Sequence, residues 1–127
     1  MSQAWNKLDI QVPHLDILTE AENVKHLRVE HRDTDYTHGL KNKGWHSLTL
    51  YGVNNTTTQA SDLPHNWTEA STLCPKTVEF LKNNFNINEE TGRIRFMWVE
   101  PGGMVAPHKD KEHRGFGAVN KIGRAHV

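Results

Sequence analysis

The sequence predicts a single domain that is mainly β, with helices flanking the strands. Three observations carry that expectation. Trp45–Val53 (WHSLTLYGV) alternates in polarity and is rich in strand formers, and Arg93–Glu100 (RIRFMWVE) repeats the pattern. Asp16 to about His31 and Pro75 to about Asn84 show helical spacing instead. The length, 127 residues, suits one domain, and with 35% hydrophobic residues its core must be economical.

Taken in order, Ile17, Ala21, Val24 and Leu27 recur at steps of three and four, with acidic residues in the early turns, so Asp16–His31 is read as a helix. His31–Gly44 is polar and is read as irregular. Trp45–Val53 follows as a strand, and Asn54–Asn66 as a long polar loop. Pro75 stands where a proline starts a helix, and Val78, Leu81 and Phe85 share one face. Thr91-Gly92 turns the chain into the strand Arg93–Glu100, which Pro101-Gly102-Gly103 is expected to stop. Arg114–Asn120 is a weaker strand candidate.

Composition excludes several function classes. Lys+Arg 15 against Asp+Glu 15 gives no basic footprint for nucleic acid and no attraction to anionic lipid. No apolar run approaches the roughly 20 residues that span a bilayer, and Met1–Ile10 contains no signal-peptide apolar core. The chain is therefore expected to be soluble, unexported and cytoplasmic, and the acceptor-like tripeptides at Asn54, Asn55 and Asn66 are read as chance. Cys74 is the only cysteine, which leaves no disulfide framework and no cysteine-based zinc knuckle. Neither a phosphate-binding glycine loop nor a Ser-His-Asp or Cys-His constellation is present. Nine histidines stand out, because imidazole is the commonest metal ligand.

The chemistry concentrates in Arg93–Asn120 (RIRFMWVEPGGMVAPHKDKEHRGFGAVN). In extended backbone, side chains repeat on one face with period two, so His108 and Asp110 point the same way, roughly 7 Å apart at Cα. An imidazole and a carboxylate so placed can share one divalent ion. With a further histidine they make a two-His-one-carboxylate facial triad, which suits iron(II) and leaves positions open. A charged surface turn would show the same tripeptide. The preceding apolar strand and Pro-Gly turn, which deliver the pair to a strand end, favour the metal reading.

With these residues in view, the chain resembles the aspartyl/asparaginyl β-hydroxylase-like branch of the iron(II)/2-oxoglutarate-dependent oxygenases. The resemblance rests on RFMWVEPGGMVAPHKD, on Cys74-Pro75-Lys76-Thr77 opening the helix before it, and on the Gly44-Trp45 strand, covering about Gly44–Asn120. It implies a double-stranded β-helix (jelly roll, cupin-like). It also implies Fe(II) as cofactor, 2-oxoglutarate as cosubstrate, dioxygen, and hydroxylation of an amino acid, a peptidyl side chain or a small metabolite. His108 takes the place of the first metal-ligand histidine and Asp110 that of the carboxylate. Met97 and Asn120 fall near positions where relatives contribute polar cosubstrate contacts, although a thioether cannot donate a hydrogen bond and Met97 is read as packing. Arg95, on one strand face with Arg93, Met97 and Val99, is a candidate partner for a carboxylate. Lys109, Lys111 and Glu112 are read as rim charges and Trp98 as core.

The resemblance also calls for a second histidine well downstream, and for a basic residue beyond it. His113 has the wrong strand parity, and His126 lies in Lys121–Val127 (KIGRAHV), which can be back-translated into the start of a common sequencing adapter. Residues 1–120 are accordingly expected to be the N-terminal part of one oxygenase domain, with residues 121–127 a non-native tail. The later strands are then missing, and this polypeptide is expected to bind iron weakly and to turn over poorly. Two other readings stay open: a non-catalytic jelly-roll ligand-binding module, and a zinc-dependent hydrolase or cupin-type metalloprotein that does not use 2-oxoglutarate.

Overall fold

The computed structural model describes residues 7–31, 42–58 and 63–106. Two α-helices, α1 (His14–Val24) and α2 (Pro75–Asn84), flank an antiparallel sheet of four strands. The strands are β1 (Val29–Glu30), β2 (Lys43–Gly52), β3 (Asn66–Trp67) and β4 (Ile94–Met104). β4 pairs along one edge of β2; β1 and β3 share the other edge, at Ser47/His46 and at Tyr51/Gly52 respectively. The architecture is thus mixed helix and antiparallel sheet with flanking helices. The expected strand Arg114–Asn120 and the proposed tail lie outside the described residues.

The core sits on one face of the sheet. Leu48 and Leu50 point from β2 toward Val24, Ala70 and Cys74, and Leu27, Phe96 and Trp98 close its margin. The parity is that of the sequence pattern, since Leu48 pairs with Phe96 and His46 with Trp98 across the ladder. Trp98 therefore takes its expected core side. α1 contributes Ala21 and Val24, buried at helical spacing, but it ends earlier than its periodicity suggests. A 3-10 turn, Lys25–Leu27, and an extended Arg28 carry the chain to the sheet edge, where Val29 pairs with Ser47. Strand pairing outweighs the local helical pattern there.

The Pro-Gly turn does not stop the second long strand. β4 continues through Pro101-Gly102-Gly103 to Met104, and the ladder slips instead: Trp45 faces Val99 while Lys43 faces Met104. Gly102 at φ 78° and Gly44 at φ 64° supply the left-handed backbone this irregularity requires. A Cβ on Gly103 would lie 2.6 Å from the Lys43 carbonyl oxygen, so only glycine lets the two backbones come this close. Among the described residues β4 pairs only with β2, which is why a proline is tolerated in it.

A buried carboxylate joins the two helices. Glu20 of α1 accepts the backbone N–H groups of Lys76 (3.0 Å) and Thr77 (2.7 Å) and the Thr77 hydroxyl (2.7 Å). It does for α2 what an N-cap residue would do, since Cys74 at that position makes no side-chain cap. Burial, and then the neighbouring Glu20, push the Cys74 thiol up to about 11, so the lone cysteine stays protonated and unreactive.

Glu20→Ala should cost about 2–3 kcal/mol in urea unfolding at pH 7, because three donors lose a charged acceptor. Glu20→Gln, which keeps one acceptor oxygen, should lose about half of that. Full stability in Glu20→Gln, with Glu20→Ala still destabilised, would mean that side-chain packing, not capping, makes the contribution.

Candidate functional site

The face of the sheet turned away from the helices carries a different chemistry. Period two along β2 puts Trp45, Ser47 and Thr49 there, and their ladder partners Val99, Met97 and Arg95 bring β4 into the same surface. His31, just past β1, completes it: its backbone N–H donates to Trp45 O (2.8 Å) and its ring stacks on the Trp45 indole at 3.9 Å. His31 Nε2 shares a 2.6 Å hydrogen bond with Ser47 Oγ. His31, Trp45, Ser47 and Thr49 are buried, whereas Met97 and Val99 are about half exposed.

Met97 is therefore not the core residue its apolar side chain suggests. It lies opposite Ser47 on the polar face, at 49% exposure. The correction follows from the alternation of β4, which spends its inward positions on Phe96 and Trp98. Arg95 lies on this face across from Thr49, as its parity with Met97 requires, and is half-buried rather than fully solvated. Arg93 follows on the same side and donates from Nη1 to Thr58 O (2.9 Å).

Two arginines, Arg93 and Arg95, lie on this face. Burial, then the charges of Arg95, Arg93 and His46, lower the His31 pKa from 6.5 to about 4, so its ring is neutral at physiological pH. Thr49 is 1% exposed, and its Oγ1 meets no hydrogen-bond partner among the described residues. An orphan hydroxyl of this kind costs about 1–3 kcal/mol.

His108, Asp110 and Asn120 lie outside the described residues, as do His113 and His126. What the structure shows is the strand that leads to them. Ala106, two positions before His108, is fully buried, and its N–H donates to Asn42 Oδ1 (2.9 Å) beside the start of β2. Among the described residues no group of three His, Cys, Asp or Glu side chains could hold a metal ion. The imidazole and carboxylate of His108 and Asp110 are residue types suited to hold iron(II). Sequence reasoning missed His31 and Thr49. The polar–apolar alternation of WHSLTLYGV was the available signal for Thr49, whereas nothing local marked His31.

A family model described as aspartyl/asparaginyl beta-hydroxylase matches residues 13–122, wider than the stretch that carries the sequence resemblance. No curated protein and no solved structure matches the chain.

The depressed His31 pKa fixes a sign for acid sensitivity. Above pH 6.5 the ring is neutral in folded and unfolded chains alike. As the pH falls from 6.5 to 4 only the unfolded chain takes up the proton, so stability drops, by about 3 kcal/mol in total. His31→Gln should remove this part of the pH dependence of the urea midpoint. An unchanged profile in that variant would show that His31 titrates normally.

Proposed function

The chain belongs to the aspartyl/asparaginyl β-hydroxylase family, and from that premise we propose that its parent protein is an iron(II)- and 2-oxoglutarate-dependent hydroxylase, of whose metal site this chain carries the first half. Its substrate is an amino acid, a peptidyl side chain or a small metabolite. The observation that carries the reading is the family match running through the Pro-Gly strand end and His108-x-Asp110. With 2-oxoglutarate and dioxygen, a bound iron(II) supplies the oxidising power that places a hydroxyl group on an unactivated carbon.

The residues of the chain bind and orient. His108 and Asp110 would hold the metal, and a further histidine of the parent protein would complete the donor set. Arg95 offers a positive charge to a carboxylate, Met97 adds an apolar surface on the same strand face, and Asn120 a polar contact. Trp45, held by the His31 ring, gives that surface a rigid aromatic side. In the jelly-roll architecture that we assign to the whole domain, the described sheet is one of two layers, and the face that carries Ser47, Thr49 and Arg95 looks inward. A cytoplasmic site of action accords with a buried free thiol at Cys74.

The test is succinate release from 2-oxoglutarate by the purified full-length parent protein with iron(II) and ascorbate, screened over candidate amino acids and peptides. His108→Ala and Asp110→Ala should each reduce release to background while leaving the circular dichroism spectrum unchanged. Ligand binding without succinate release would assign a binding module instead. Hydrolysis that needs zinc and ignores 2-oxoglutarate would overturn the oxygenase.

A further inference from the structure

Just past the end of β4 the backbone is held by a side chain instead of by the ladder. The last pair of β2 and β4 is Lys43 with Met104, and beyond it Ala106 is fully buried. A buried N–H needs a partner inside the protein. Asn42, the residue before β2, provides one: its Oδ1 accepts the Ala106 N–H at 2.9 Å, across 64 positions of sequence. The close approach of Gly103 to the Lys43 carbonyl oxygen keeps the two backbones near enough for this short side chain to reach.

The two residues after that bond are Pro107 and His108. A residue before proline is sterically confined to extended backbone, and the proline ring locks its own φ at about −65°. Little conformational freedom is therefore left between the bonded N–H of Ala106 and His108, whose Cα lies at most about 7 Å of chain beyond that of Ala106. A displacement of Ala106 passes on to His108 instead of being absorbed between them.

We propose that Asn42 is a positioning residue for His108: its amide oxygen fixes the Ala106 backbone, and the Ala106-Pro107 pair carries that placement to the metal-binding imidazole. The proposal rests on the oxygenase reading and adds to it a residue that acts through the backbone and not as a ligand.

The test uses the metal-free, full-length parent protein, unsubstituted and as His108→Ala, Asn42→Ala and Asn42→Asp. Alanine removes the acceptor, aspartate keeps an oxygen in its place, and Asn42 is only partly buried, so neither change disturbs the core. Cobalt(II) is titrated by calorimetry and by visible absorption, whose bands follow coordination geometry. Asn42→Ala should bind cobalt(II) about tenfold more weakly, with altered bands at saturation, and Asn42→Asp should restore the bands and bring affinity to within about threefold. A merely structural asparagine would lower the urea midpoint of Asn42→Ala and leave the saturated spectrum as it was, which would overturn the proposal. Failure of Asn42→Asp to restore the bands would overturn it too, because the acceptor oxygen would then not be what matters. If cobalt(II) binding requires His108 and Asn42→Ala binds with unchanged affinity and spectrum, the positioning role falls and the oxygenase reading stands. If His108→Ala binds cobalt(II) as the unsubstituted protein does, the positioning role and the metal assignment fall together.

Discussion

The register of β2 against β4 is the constraint on which the other features depend. β2 is hydrogen-bonded along both edges, so it cannot shift without breaking pairs to β1, β3 and β4 together. Its alternation divides the molecule into an apolar side, where Leu48 and Leu50 meet the helices, and a polar side, where Trp45, Ser47 and Thr49 meet His31 and Arg95. A slip of one residue would send Ser47 and Thr49 into the core and both leucines out of it. Two irregularities hold the register at its ends: the glycine-dependent slip between Lys43 and Trp45, and the extra residue between Thr49 and Tyr51. The first is held by the close approach of Gly103 to Lys43, the second by Thr68 bonding to the carbonyls of Thr49 and Leu50.

The two helices are secured by a different kind of interaction. Glu20 is a carboxylate that faces the N-terminus of α2, where backbone N–H groups and the helix dipole both favour negative charge. Because the anion comes from the chain itself, that helix end is already satisfied.

The polar face of the sheet combines rigidity with charge. The stack of His31 on Trp45 and the hydrogen bond between His31 and Ser47 hold three side chains, from β2 and from the residue after β1, in one arrangement. Burial keeps His31 neutral beside two arginines, so positive charge is concentrated on Arg93 and Arg95 instead of being spread over the ring. The face lies on the same two strands that lead to Ala106, the buried residue from which the chain continues to His108.

Much of this was legible in the sequence. The alternation in WHSLTLYGV and RIRFMWVE located both long strands and the inward position of Trp98, and Pro75 marked the first residue of α2. The His108-x-Asp110 spacing and the residues before it pointed to the family whose model matches the chain. These features are local, because a period of two or a proline at a helix start acts on its neighbours in the chain. The helix ending at Val24, the passage of β4 through Pro101-Gly102-Gly103, the exposure of Met97 and the pairing of His31 with Trp45 and Ser47 are not local. Each is set by a partner strand distant in sequence, whose hydrogen bonds and steric fit outweigh the preference of the segment itself. Only the folded sheet could decide them.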